Sequence, residues 1–117
     1  MPEPKQLIPL RIYIGEDDTY ADSAGREQPL YEAIALRARE QGIDGLTVAR
    51  GIIGFGPGSH REKVVLRRSE DRPITIDIID TEENVETFLR AIDGLIASGL
   101  AVTDRVAVRR YGPTPKA

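Results

Sequence analysis

Residues 74–99 read ITIDIIDTEENVETFLRAIDGLIASG, and they contain a change of period that decides the fold. Over Ile74 to Ile79, Ile74, Ile76 and Ile78 alternate with Thr75 and Asp77, a period of two that predicts a strand with one buried face. The period then lengthens. Val85, Phe88, Leu89, Ile92, Leu95 and Ile96 fall on one face of a helix. Asp80 or Thr81 can cap its first turn, Glu82 and Glu83 suit the positive end of its dipole, and Gly99 is expected to close it.

Working outward, the same two patterns recur. Leu7 to Gly15 is expected to be a strand, with Leu10, Ile12 and Ile14 alternating with Arg11 and Tyr13. Residues 16–28 read as a polar loop. Pro29 suits the first turn of a helix, because its missing N–H costs nothing there. Leu30, Ala33, Ile34 and Ala38 give that helix an apolar stripe, and Gly42 ends it. Leu46 to Ile53 is a second strand. Val106 and Val108, alternating with Ala107 and Arg109, predict the last one, followed by a loose tail over 112–117. The order is β-α-β-β-α-β. Its simplest burial is an α+β ferredoxin-like fold: a four-stranded antiparallel sheet with two helices on one face, in a single domain spanning 1–117. Such a fold hosts many unrelated functions, so function has to be argued from particular residues.

Composition narrows the classes. The 117 residues are 40% hydrophobic and 30% charged, an ordinary globular balance, at a length that gains from oligomerising. With no cysteine and one histidine, there is no disulfide framework, thiolate nucleophile or Cys-ligated metal site. No apolar run approaches the roughly 20 residues of a membrane span, and no signal-peptide pattern is present, so a cytoplasmic protein without membrane insertion is expected. A net charge of −3 argues against a general nucleic-acid binder.

The excursion over 54–72 is far longer than the roughly 2–5 residues of an ordinary hairpin loop. It opens Gly54-Phe55-Gly56-Pro57-Gly58-Ser59-His60. From there Arg61, Lys63, Arg67, Arg68 and Arg72 stand against Glu62, Glu70 and Asp71, a net +2 inside an acidic protein. Exposed glycine N–H groups beside such a stretch can form an anion site, and a solvated hairpin extension is the plain alternative. The segment is expected to be mobile without ligand. Gly54-Phe55-Gly56-Pro57-Gly58 is neither a dinucleotide fingerprint nor a P-loop. The acidic run Glu16 to Asp22 lacks the spacing of a calcium loop, and Ser59-His60 has no third member for a triad. Ile12-Tyr13-Ile14-Gly15 resembles the first-strand motif of RNA-recognition domains, but the third strand lacks the aromatics that stack bases.

On these residues the chain resembles the nitrogen-regulatory PII proteins, and more closely the PII-like group known as domain-of-unknown-function family 190. The matching stretches are Leu10 to Glu16, Pro29 to Ile34, Arg50 to Gly56, Ser69 to Asp71 and Val106 to Tyr111. The resemblance implies a regulatory protein and not an enzyme: a homotrimer that binds a small anionic ligand, such as an adenine nucleotide, between subunits. It also implies a partner, a membrane transporter or an enzyme, touched by the long loop. The ligand-binding set so implied is Gly54, Phe55, Gly56, His60, Arg61, Arg109 and Arg110. With the second and fourth strands at opposite sheet edges, the glycines and the arginines would converge only across a subunit boundary. Two features depart from PII. Gly99 to Arg105 lacks a Gly-x-Gly-Lys phosphate loop, and residues 57–72 hold no tyrosine for uridylylation. A CutA-like metal-binding protein or a small enzyme of the same fold is the alternative.

Overall fold

The computed structural model describes residues 6–52 and 72–112. Its elements run β1 (Leu7–Gly15), β2 (Thr19–Ala21), β3 (Glu27–Pro29), α1 (Leu30–Glu40), β4 (Leu46–Arg50), β5 (Pro73–Thr81), α2 (Glu82–Ile92) and β6 (Leu100–Thr103). Four strands form one antiparallel sheet in the order β4-β5-β1-β6, the ferredoxin-like arrangement, and β2 pairs with β3 in a separate ribbon.

The sheet is built around its two nine-residue strands. Leu10 lies opposite Ile78, Ile12 opposite Ile76 and Ile14 opposite Ile74, so all six side chains share the face covered by the helices. Those positions are buried together with Leu30, Ile34 and Ala38 of α1 and Val85, Phe88 and Ile92 of α2, in one continuous core. The opposite face carries Arg11, Tyr13, Thr75, Asp77 and Ile79, and neither helix covers it. Alternation over β1 and β5 therefore has a direct cause: one face is core and the other is open.

Both helix boundaries are explained by hydrogen bonds. Thr81 is the N-cap of α2, its Oγ1 accepting from the Asn84 N–H at 3.2 Å. At the end of α1, Ile43 N–H donates to Ala38 O and Gly42 N–H to Arg39 O, the paired bonds of a Schellman motif, with Gly42 at φ +75°.

Four expectations need correction. Residues 16–28 are not merely a loop, because β2 lies within them and β3 begins there, with the Asp22 carboxylate accepting from Ala24 N–H and Arg26 N–H across the turn. Pro29 precedes α1 as its N-cap instead of opening its first turn, since its carbonyl side still belongs to β3. The second helix ends at Ile92, not near Gly99; beyond it the chain turns, with Leu95 N–H bonded to Ile92 O. The last strand is Leu100–Thr103, and Val106 to Arg109 carries no regular structure. Thr103 is the last residue paired to β1, opposite Leu10, and the next step would meet Pro9, which has no N–H to contribute. There the Asp104 carboxylate turns back to accept from Arg105 N–H at 2.7 Å, and the chain leaves the sheet.

Candidate functional site

The long excursion rises from a clamped base. Gly51 N–H donates to Pro73 O at 2.7 Å and Glu16 N–H to Arg72 O at 2.8 Å, so β4, β5 and the end of β1 are tied together where the excursion leaves and returns. A Cβ on Gly51 would stand 2.7 Å from Pro73 Cγ, so only glycine lets the two chains approach this closely. Arg50 reaches across to Glu16 with a 2.6 Å ion pair. The turn after β1 is itself braced: Asp18 Oδ2 accepts from Gly15 N–H at 2.9 Å, and Asp18 O accepts from Leu30 N–H. Beyond this base, Gly54, Phe55, Gly56, His60 and Arg61 lie outside the described residues, as does nearly all of the loop expected to be mobile and the whole tail after Gly112.

Arg109 and Arg110 are described, and they are not where a strand would have put them. Having left the sheet beside β6, the chain passes to the other side of the molecule. Val108, Arg109 and Arg110 border a cleft of about 550 Å³ together with Leu7, Asp44, Leu46, Thr47 and Ile79. Arg110 pairs with Asp44 at 3.5 Å, just before β4 begins, and Arg105 makes a looser pair with Glu82 at 3.9 Å. β4 and β6 do occupy opposite edges, but the two arginines do not ride on β6. Their expected separation from the second strand is thus overturned, and the reason is the early exit at Asp104.

The stretch resembling the phosphate-loop position, Gly99 to Arg105, consists mainly of β6. Gly99 lies so close to β1 that a Cβ there would be 2.7 Å from Tyr13 O. Between the end of α2 and β6 lies a cleft of about 420 Å³, bordered by Leu89, Asp93, Ile96, Ser98, Gly99 and Ala101.

On the open sheet face Arg11 Nε donates to Asp77 Oδ1 at 2.6 Å, bridging the two central strands. The Asp77 hydrogen bond, and to a lesser degree Tyr13, hold the Arg11 guanidinium's pKa above its ordinary value. This pair went unread in the sequence: residues 66 positions apart become neighbours only through the register of β1 on β5. Among the described residues no group of three or more His, Cys, Asp or Glu is placed to hold a metal ion, and no helix is long and apolar enough to cross a membrane.

The chain is 34% identical over 86 residues to a UPF0166 protein of Aquifex aeolicus, covering 73% of this chain and 77% of that one. It is 30% identical over 97 residues to UPF0166 protein MJ1524 of Methanocaldococcus jannaschii, covering 81% and 85%. Among solved structures it is similar to CPII from Thiomonas intermedia K12, bound there to ADP and bicarbonate, with a TM-score of 0.59 and 19% identity over 89% of both chains. It is also similar to the divalent ion tolerance protein CutA1 from Ehrlichia chaffeensis, with a TM-score of 0.58 and 10% identity over 92% and 88%. At these identities the two structures establish a shared fold. The family profile described as "Uncharacterized ACR, COG1993" matches residues 7–108, and the chain belongs to that family, DUF190.

Proposed function

We propose that this chain is a cytoplasmic PII-like regulatory protein, not an enzyme. In this reading it is a single-domain homotrimer that takes a small anionic ligand, an adenine nucleotide, between subunits. It signals through the 54–72 segment to a partner protein, a transporter or an enzyme. The observation that carries the reading is the clamped base. The fold is that of CPII, which binds ADP and bicarbonate, and in this fold the Gly51–Pro73 and Glu16–Arg72 bonds fix both ends of the glycine-rich basic segment at one end of the sheet. A ligand seated against Gly54 and Gly56 would meet backbone N–H groups unobstructed by side chains, with Phe55, His60 and Arg61 alongside. Arg109 and Arg110 would supply charge that does not titrate away. The Arg110–Asp44 pair is exposed and long, so a phosphate could displace it at little cost.

Calorimetry with ATP, ADP, AMP and cyclic nucleotides, with divalent cations in parallel, tests this. The expected result is saturable binding of at least one nucleotide. Replacing Gly56 with valine is expected to weaken it by sterics, and Arg109→Ala or Arg110→Ala by lost charge, each about tenfold or more. No binding by any nucleotide, or affinity unchanged in all three variants, would overturn the assignment.

A further inference from the structure

Three charged residues meet at the base of the excursion, and the ligand set of the proposed function includes none of them. Arg50 is the last residue of β4, Arg72 stands just before β5, and Glu16 follows β1. Register places them on one face. Arg50 lies opposite Ile74, which lies opposite Ile14, and the Glu16 N–H to Arg72 O bond carries the β1–β5 ladder one step past Gly15 and Pro73. Side chains alternate across a strand, so Glu16, Arg50 and Arg72 fall on the side of Ile14 and Ile74, where the core ends.

The Arg50–Glu16 pair is not needed to hold the strands together. Gly51 N–H to Pro73 O and Glu16 N–H to Arg72 O already tie β4, β5 and the end of β1 through the backbone. The Arg50 side chain is 52% exposed, and an exposed pair contributes little. Its 2.6 Å contact with Glu16 engages Nη2, whereas a guanidinium has five N–H donors to offer. Arg72 is half-buried and makes no ion pair among the described residues. The next carboxylate along, Asp18, is turned to Gly15 N–H. The base therefore carries two guanidinium groups and one carboxylate that answers them.

We propose that Arg50 is a phosphate-binding residue of the ligand site, with Arg72 beside it, and that Glu16 is an internal competitor that occupies Arg50 until a nucleotide phosphate displaces it. Carboxylate and phosphate present the same feature to a guanidinium, a pair of oxygens matched to its fork. The phosphate carries more charge and meets Arg72 as well, so the exchange favours it. Without ligand, Glu16 keeps the seat filled. The inference rests on the nucleotide of the proposed function, and adds the residues that take its phosphate and the one that opposes it.

Calorimetry with ATP, ADP and AMP on the parent, Glu16→Gln, Arg50→Ala and the double variant tests it. Both single variants break the same ion pair, so a purely structural role shifts affinity in one direction in both. A competitor and a binding residue give opposite signs. Glu16→Gln is expected to tighten binding about two- to fivefold, the reach of an exposed pair. Arg50→Ala is expected to weaken it about tenfold or more, with Arg50→Lys, which keeps the charge without the fork, in between. In the double variant the gain from Glu16→Gln is expected to vanish, since no guanidinium is left to release. Urea midpoints of the two single variants are expected to agree, because each loses the same pair. Glu16→Gln binding no tighter than the parent, Arg50→Ala binding as well as the parent, or a gain that persists in the double variant would each overturn this inference and leave the proposed function standing. No nucleotide binding by the parent and by Glu16→Gln alike overturns both.

Discussion

The Asp80 side chain is the buried polar group among the described residues, and its surroundings account for its burial. Its carboxylate accepts from Thr81 N–H at 2.7 Å, from Asn84 Nδ2 at 2.9 Å and from Asp44 N–H at 3.3 Å. It thereby joins the end of β5, the first turn of α2 and the lead into β4. A local reading of the sequence sees only a choice between Asp80 and Thr81 as the helix cap. The Asp44 donor, 36 positions away, is invisible to it because the contact exists only once β4 and β5 pair. Asp80→Ala would strand two backbone N–H groups, and a loss of about 1–3 kcal/mol is expected in urea unfolding. A midpoint within error of the parent would mean that water satisfies these donors. Gly99 poses the converse problem. Its pattern suggested a helix terminus, but its φ is unexceptional and what it permits is contact with Tyr13 O. Gly99→Ala is expected to cost about 1–3 kcal/mol by overpacking against backbone that has no room to retreat. A melting temperature equal to the parent's would contradict the close approach.

At the scale of elements, what could be read was what has one wet face and one dry one. β1 and β5 alternate because they sit at the centre of the sheet, and each helix shows a stripe because it covers that sheet on one side. β6 could not be read this way. Leu100-Ala101-Val102-Thr103 is exposed at all four positions, so burial imposes no alternation on it. The alternating Val106–Arg109 has the more strand-like sequence, although Leu100–Thr103 is the segment paired to β1. The continuation of the apolar stripe past α2 has a similar origin: Leu95 and Ile96 still pack on the core, but from a turn that begins at Asp93-Gly94. The start of α2 was legible because capping is local chemistry. Thr81→Ala removes the acceptor for Asn84 N–H and is expected to cost about 0.5–2 kcal/mol, with Thr81→Ser recovering most of it. Equal losses in the two variants would show that the threonine methyl matters and the hydroxyl does not.

The whole molecule is asymmetric. One sheet face is sealed by two helices, and the other presents Tyr13, Ile79, Leu100 and Val102, each more than a third exposed. Register places Tyr13 opposite Leu100 and Arg11 opposite Val102, so the apolar groups flank the Arg11–Asp77 pair instead of scattering. A small domain gains proportionately more than a large one from covering such a surface. The alternation of β1 already sets Arg11 and Tyr13 apart from the core, but the apolar rim is not legible in the sequence, because Leu100 and Val102 precede the strand expected over Val106–Arg109 and the expected ligand set is Gly54, Phe55, Gly56, His60, Arg61, Arg109 and Arg110. If subunits meet over this face, a charge at its apolar rim should prevent association without harming the fold, since these positions are open in the single chain. Leu100→Glu and Val102→Glu are expected to keep the parent's far-ultraviolet circular dichroism while light scattering shows a lower mass. Combining them should complete the dissociation, because the two side chains lie on the same face of one strand. An assembly that survives the double substitution at unchanged mass would mean that the open face points to solvent in the oligomer. The Arg11–Asp77 pair would then remain a surface ion pair of little energetic weight.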